Sequence, residues 1–298
     1  MIKILVTGGA GFIGSHLVKR LINSGFDVVV IDNLSTGKEK NIHPKASFHK
    51  IDICNEKKIR PLFKGVSYVF HLAALPRIQR SIEYPKETHR SNVEGTLNVL
   101  LASREMGVKR FIYASSSSVY GQQISLPLKE NFVPNPISPY AVQKLVGEYY
   151  CKVFSKIYNL ETVVLRYFSV YGPYQNEQDY YATVIPKFFK LKKESMPLII
   201  YGDGNESRDF TYIDDVVESM LLSLKSNLIG NGEIINICFG KGVSINQVAD
   251  IIGGKRIYCK ARKGEPKHTL GDNSLAKKLL GWHPIIGLKE GLNKLQNF

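Results

Sequence analysis

Gly8-Gly9-Ala10-Gly11-Phe12-Ile13-Gly14 decides the fold, because of what flanks it. Ile2–Val6 is a short apolar run that reads as a buried strand. Phe12–Asn23 then sets Ile13, Leu17 and Leu21 on one helical stripe. Glycines between a strand and a helix permit a tight turn and close backbone approach to a ligand. Working outward, Asp27–Ile31, Phe48–Ile51, Val66–Leu72, Arg110–Ala114 and Thr162–Tyr167 read as further buried strands. Ser91–Met106 and Tyr140–Tyr158 read as long helices. Strands alternating with helices predict an α/β fold: a doubly wound parallel, Rossmann-like sheet with right-handed crossovers. After Tyr171-Gly172-Pro173 the rhythm weakens and glycine turns break up shorter elements. Residues 1–171 are therefore expected to bind a dinucleotide, and 172–298 to form a smaller C-terminal substrate-binding region. A strand near 234–238 is expected to return to the main sheet.

The bulk numbers narrow the function class. The 298 residues suffice for one large or two ordinary domains, with 44% hydrophobic and 22% charged residues. No apolar run approaches the length of a bilayer span, which argues against a membrane protein. The first residues enter Ile4-Leu5-Val6 directly, so no leader is expected and a cytoplasmic location is. Cys54, Cys151, Cys238 and Cys259 lie far apart without a CxxC, so neither disulfides nor zinc are expected, and core filling is. Lys and Arg outnumber acids by 40 to 26, a net charge of +14. The surplus is scattered and lacks aromatic–basic or zinc-finger spacing, so nucleic acid is not the expected partner and an anionic small molecule is. The seven histidines show no metal-ligand spacing. His71, His16 and His89 read as hydrogen-bonded core histidines, and Trp282 as a packing anchor.

The glycine loop predicts a pyrophosphate held by Gly8, Gly11, Phe12, Ile13 and Gly14 against a helix N-terminus. Asp32, at the end of the second strand, can accept hydrogen bonds from an adenosine ribose and would repel a 2′-phosphate. That favours NAD over NADP, with Lys38 a counter-argument. Asp52 and Ile53, after the third strand, are placed to meet the adenine edge. Far along the chain stands Tyr140-Ala141-Val142-Gln143-Lys144. Four residues apart on a helix, Tyr140 and Lys144 share a face, and an ammonium there favours the phenolate. Beside a nicotinamide, such a pair is a base for taking a hydroxyl proton while hydride leaves the same carbon.

Taken together, these motifs resemble the extended short-chain dehydrogenase/reductases of the nucleotide-sugar epimerase/dehydratase family. The matching residues run almost end to end. They include GGAGFIGS, Asp32-Asn33-Leu34, Asp52-Ile53, His71-Leu72-Ala73-Ala74, Asn92, the Ser115–Gly121 run, Ser138-Pro139-Tyr140 and Lys144. Further on come Arg166-Tyr167-Phe168, Val170-Tyr171-Gly172-Pro173, Gly202-Asp203-Gly204, Ser207-Arg208-Asp209-Phe210, Asp214-Asp215 and Arg262-Lys263-Gly264-Glu265. The resemblance implies that Asn33, Ser35, Thr36, Gly37, Leu72, Ala73, Ala74, Asn92 and Phe168 join the NAD site. It implies Ser116 as the third catalytic residue, with Ser117 beside it. Related 4,6-dehydratases carry Asp-Glu after that hydroxyl, and decarboxylating relatives a Glu at the Ser118 position. Ser117 and Ser118 stand here instead, which leaves epimerisation.

The implied reaction is inversion at C4 of a UDP-sugar. Tyr140, as phenolate, takes the 4-hydroxyl proton while the C4 hydride passes to NAD. The keto sugar then turns its other face, and the hydride returns. Lys144 is expected to bind the nicotinamide ribose and to depress the Tyr140 pKa. On the substrate side the resemblance implies Arg208 and Arg262 on the diphosphate. Glu265 falls on the uridine ribose and Tyr201 at the uracil edge. Thr183, Val184 and Thr269 join the substrate site, Thr269 beside the sugar, and Ser169 stands where relatives place an Asn on the diphosphate, a contact it shortens or loses. Three departures stand out: Ser169 for an Asn, Tyr174 for an Arg, and Pro76-Arg77 for small residues. Thr269 leaves room for a 2-N-acetyl group, favouring UDP-N-acetylglucosamine with UDP-glucose/galactose. The serine run and Ser169 resemble UDP-glucuronate 4-epimerases, the alternative. A nicotinamide-consuming sugar reductase and a non-catalytic dinucleotide sensor are other classes; a sensor typically loses the Tyr or Lys kept here. Relatives pair two helices into a four-helix homodimer interface, to which Val142, Val146 and Phe154 would contribute.

Overall fold

The structure, a computed structural model, describes residues 1–176 and 179–296. The first half runs β1 (Lys3–Thr7), α1 (Phe12–Asn23), β2 (Asp27–Asp32), β3 (Ser47–Lys50), α2 (Glu56–Ile59), β4 (Tyr68–His71), α3 (Ile78–Glu83), α4 (Pro85–His89), α5 (Gly95–Glu105), β5 (Arg110–Ser116), α6 (Pro139–Tyr158) and β6 (Glu161–Tyr167). The second half runs β7 (Val170–Tyr171), α7 (Val184–Lys193), β8 (Leu198–Tyr201), β9 (Ser207–Asp209), β10 (Thr211–Tyr212), α8 (Ile213–Lys225), β11 (Asn231–Ile237), β12 (Gly242–Ser244), α9 (Ile245–Ile252), β13 (Arg256–Cys259), α10 (Ser274–Leu280) and α11 (Leu288–Gln296).

Seven strands form one sheet in the order β11-β6-β5-β4-β1-β2-β3, parallel throughout. Side chains alternate across it. Ile4 and Val6 point to a core closed by α1 and α8, while Leu5, Val29 and Val69 point to one closed by α5 and α6. Each such aliphatic contributes roughly 1.5–3 kcal/mol by burial. The expected strand near 234–238 lies within β11, paired along β6 from Asn231↔Thr162 to Ile237↔Tyr167. The strand order reverses at β1, whose neighbours are β2 and β4; a crevice opens at the carboxyl ends of strands on either side of such a point.

Local chemistry sets the key helix. The Ser138 hydroxyl accepts from Ala141 N at 3.3 Å, Pro139 occupies the first turn, and Asn159 ends α6 in a left-handed conformation. The helix expected over Ser91–Met106 is regular only from Gly95, because Arg90–Glu94 forms a wider π turn. That turn directs Asn92 inward and seats Gly95 against Ile53, where a Cβ would lie 2.5 Å from Ile53 Cδ1.

The second half is tethered by two buried aspartates. Asp209 accepts from Phe239 N, Gly240 N and Gly271 N, and Asp215 from Ile285 N and Ile286 N. Trp282 is buried, its indole N–H donating to Asp215 O at 2.8 Å. Several expectations are corrected. Cys151 and Cys238 are buried, but Cys259 is exposed and Cys54 half-buried. His89 is exposed at the end of α4. Phe154 is buried inside the chain rather than available to a second copy. Among the described residues no helix is long and apolar enough to cross a membrane.

Candidate functional site

The crevice at the strand ends is a cavity of about 730 Å³ that runs from the glycine loop to β8. Its floor at one end is the loop itself. Gly8 has φ +75°, a conformation L side chains rarely adopt, and a Cβ on Gly14 would lie 2.1 Å from Gly8 O. Gly11, Phe12, Ile13 and Gly14 line the cavity as α1 begins. Asp32 closes the β2 side, accepting from Ala10 N at 2.9 Å and Leu34 N at 2.8 Å, with burial pushing its carboxyl pKa up. Asn33, Ser35, Thr36 and Lys38 continue this wall, as do Ile53, Leu72, Ala73 and Ala74. A floor that only glycines can form, beside a helix N-terminus and a carboxylate, fits a dinucleotide.

Four residues expected on the NAD do not line this cavity. Gly37 packs on Ala10, where a Cβ would come within 2.8 Å. Asp52 is outside the wall formed by Ile51 and Ile53, and its carboxylate accepts from Cys54 N at 2.8 Å. Asn92 is buried, accepting from Leu75 N and donating to Leu75 O and to the Gln143 side chain. Phe168 packs with Val119, Tyr120, Leu128 and Cys238.

The reacting end gathers Ser116, Tyr140 and Lys144. Ser116 is the last residue of β5, which runs two residues past the expected Ala114, and its Oγ accepts from Ser118 N at 3.2 Å. Its hydroxyl also reaches the Tyr140 hydroxyl. Burial pushes the Tyr140 phenol up, opposed by the Ser116 hydrogen bond and by the Arg77 guanidinium. The Lys144 ammonium donates to Ala114 O at 2.7 Å and stands 6.0 Å from the Tyr140 ring centre, but 4.9 Å from that of Tyr113. Burial lowers the Lys144 pKa to about 8, with Glu148 opposing. Glu148 is itself held in a buried pair with Arg166 at 2.8 and 2.6 Å and accepts from Ser115 Oγ at 2.5 Å. His71 sits behind, between Thr7 and Thr96, its pKa lowered by burial to about 3; it is a neutral structural histidine.

The far end holds the expected substrate residues. Arg208 donates to Glu265 at 3.3 Å, and Arg262 stands 3.9 Å from the same carboxylate while stacking 3.9 Å over the Tyr201 ring. Two cations on one carboxylate leave a net positive end, suited to a diphosphate. Lys187, one turn along α7 from Thr183 and Val184, was not foreseen; its ammonium donates to Tyr201 Oη at 3.1 Å. Although burial opposes it, Lys187 and Arg262 hold the Tyr201 phenol below its ordinary pKa. Gln79, also unforeseen, donates to Glu265 at 3.3 Å. Helical spacing could have flagged Lys187, whereas Gln79 needed the fold. Ser117, Ser169, Thr183, Val184 and Thr269 line the middle. There Ser118 Oγ and Tyr167 Oη are buried without a partner among the described residues.

Comparison with known proteins agrees with this geometry. Residues 4–238 match the NAD dependent epimerase/dehydratase family. The UDP-glucose 4-epimerase of Thermotoga maritima, solved with UDP-glucose, superposes with a TM-score of 0.95 at 37% identity, covering 99% of both chains. The UDP-N-acetylglucosamine 4-epimerase of Methanobrevibacter ruminantium, in complex with UDP-N-acetylmuramic acid, gives 0.92 at 36%, covering 99% of this chain and 98% of that one. The UDP-glucuronic acid 4-epimerase of Bacillus cereus, with UDP-glucuronic acid and NAD, gives 0.90 at 35%, covering 99% of both. This chain belongs to the NAD dependent epimerase/dehydratase family.

Proposed function

We propose that this enzyme inverts C4 of a UDP-sugar, with UDP-N-acetylglucosamine the principal substrate and UDP-glucose/galactose accepted as well. The observation that carries the reaction is the meeting of Ser116, Tyr140 and Lys144 in one cavity wall beyond the glycine loop. Residues 1–171 hold NAD, through the loop and Asp32, and residues 172–298 supply most of the nucleotide-sugar grip.

When bound, NAD supplies a reversible acceptor for the hydrogen at C4. Tyr140 takes the proton of the 4-hydroxyl and later returns it, with Ser116 orienting that oxygen. Lys144, protonated, holds the nicotinamide ribose. Arg208 and Arg262 bind the diphosphate, Glu265 the uridine ribose, and Tyr201 borders the base. With the grip confined to the UDP end, the oxidised sugar can turn between Ser116 and Thr269 and present its other face. Thr269, small and buried in the wall, leaves space for a 2-N-acetyl group.

The second reading, UDP-glucuronate, draws on Ser116, Ser117, Ser118 and Ser169, hydroxyls lining one region of the cavity and able to meet a carboxylate. NAD-loaded protein incubated separately with UDP-N-acetylglucosamine, UDP-glucuronate and UDP-glucose decides between them. Turnover of UDP-glucuronate alone refutes the first. Tyr140→Phe is expected to retain NAD and lose turnover by at least about a hundredfold; full activity there removes the base. A homodimer is also proposed, supported by the apolar stripe Val142, Tyr149, Val153 and Ile157 exposed along α6. A monomeric mass by light scattering refutes it. The reaction's need for NAD and nucleotide sugars supports a cytoplasmic site, which fractionation of the source cells tests.

A further inference from the structure

Arg208 and Arg262 are each held in place by contacts that owe nothing to Glu265. Arg208 Nη1 donates to Ser207 O at 2.9 Å and to Lys267 O at 3.1 Å, and the two backbone stretches concerned are themselves joined from Ser207 N to Lys267 O at 3.0 Å. Arg262 stacks 3.9 Å over the Tyr201 ring, whose hydroxyl accepts from Lys187 at 3.1 Å. Gln79, at the start of α3, is anchored by donating to Lys263 O at 2.9 Å. Glu265 is the looser member of the cluster. Arg208 reaches its carboxylate at 3.3 Å, Arg262 at 3.9 Å and Gln79 at 3.3 Å, and its side chain is 29% exposed. Glu206, another carboxylate lining the cavity, accepts from Gly204 N at 3.1 Å instead. Three donors fixed by other partners therefore converge on one anion, through ion pairs long and exposed enough to contribute little to stability. Such a partner is readily exchanged for another.

We propose that Glu265 is a specificity-determining residue: with the site empty it fills the Arg208–Arg262 fork as a built-in counter-anion, and it yields to a diphosphate that brings a ribose, whose hydroxyls then donate to the displaced carboxylate. This rests on the reading of Arg208 and Arg262 as the diphosphate grip. The physical reason is a difference of affinities. Every phosphate-bearing ligand meets the same obstacle, a like charge standing on the guanidiniums. A nucleoside diphosphate overcomes it, because vicinal ribose hydroxyls offer the carboxylate two donors in place of the arginines. Inorganic pyrophosphate presents the same kind of oxygens to the guanidiniums but offers Glu265 nothing, and the two anions remain crowded together. The arrangement rejects bare phosphate anions, which Arg208, Arg262 and Lys187 would otherwise attract without regard to the nucleoside.

The test is calorimetric titration of protein saturated with NAD, which keeps the glycine loop filled, against UDP and against inorganic pyrophosphate in magnesium-free buffer. Glu265→Gln removes the charge and keeps the shape. Pyrophosphate is expected to bind that variant about tenfold or more tightly than the parent, the effect of one charge removed from about 5 Å of a polyanion in a solvated site. UDP is expected to gain less than about threefold, or to lose affinity, because its ribose gives up a charged acceptor. Pyrophosphate affinity unchanged by the substitution, undetected binding in both proteins included, overturns the proposal. So does equal tightening of the two ligands, which makes Glu265 a fixed repulsive charge rather than one that moves to the ribose. 2′,3′-Dideoxy-UDP, which lacks the hydroxyls, is expected to gain as pyrophosphate does; if it follows UDP, the ribose does not release Glu265 and the proposal falls. Arg208→Ala separates this inference from the reading beneath it. Unchanged UDP affinity in Arg208→Ala defeats the diphosphate grip, whereas weakened UDP binding there, beside an unmoved pyrophosphate affinity in Glu265→Gln, defeats only the role of Glu265.

Discussion

Replacing Glu148 with Gln tests the buried frame behind the site. Glu148 and Arg166 are each about 1% exposed, joined by two hydrogen bonds of 2.8 and 2.6 Å, and Ser115 adds a third at 2.5 Å. Removing one charge of such a pair leaves the other buried and uncompensated, at a cost of about 3–5 kcal/mol. Gln keeps one acceptor oxygen, so the lower end, about 3 kcal/mol, is expected. In a chain of this length that lowers Tm by about 5 °C. Exchanging both partners for Met removes the unpaired charge, so Glu148→Met/Arg166→Met is expected to lose less stability than Glu148→Gln alone. Urea unfolding of the two single Met variants, the double and the parent gives the coupling energy. Additivity of the single losses to within about 0.5 kcal/mol would refute the reasoning. The change should also reach Lys144, one helical turn away, whose charge Glu148 supports.

Three further outcomes follow from the same geometry. In the absence of NAD, folded Lys144 sheds its proton near pH 8 while the unfolded chain keeps it to about pH 10.5. Stability relative to Lys144→Met therefore rises between those values, because the unfolded state binds the extra proton. NAD affinity, which uses the ammonium, falls over the same window; calorimetric titration at pH 7 and pH 9 reads it, and equal affinities contradict the assignment. Gly14→Ala places a Cβ 2.1 Å from Gly8 O, backbone that cannot yield without reshaping the loop. NAD binding is expected to weaken at least about tenfold, measured by fluorescence titration, and unchanged affinity would place the pyrophosphate elsewhere.

Much of this protein was legible along the chain because its signals are local. The glycine loop, the alternating apolar strands and the Tyr140–Lys144 spacing depend on dihedral freedom and helical period, which neighbours in sequence set directly. Hence α1 spans Phe12–Asn23 as read, and β1 to β6 fall within a few residues of expectation. The π turn at Arg90–Glu94 was not legible, because it depends on Asn92 bonding to Leu75 and Gln143, partners distant in sequence. Nor was the position of His89, since one residue on a helix does not declare which way the helix faces.

The largest departures concern charge. From spacing, Lys144 and Tyr140 were expected to act on one another directly; in the folded protein the ammonium donates to Ala114 O and stands 6.0 Å from the Tyr140 ring centre, while the Ser116 hydroxyl bonds the phenol. Arg208 and Arg262 were expected on the diphosphate and Glu265 on the uridine ribose; in the folded protein both guanidiniums stand on the Glu265 carboxylate, which Gln79 also reaches. The order of residues alone established the sheet, the dinucleotide loop and the reacting pair, since these are short-range consequences of backbone geometry and side-chain period. Which charges face one another, and so how readily each gives up a proton, depended on burial and on distances across the cleft that exist only once the chain has closed around it.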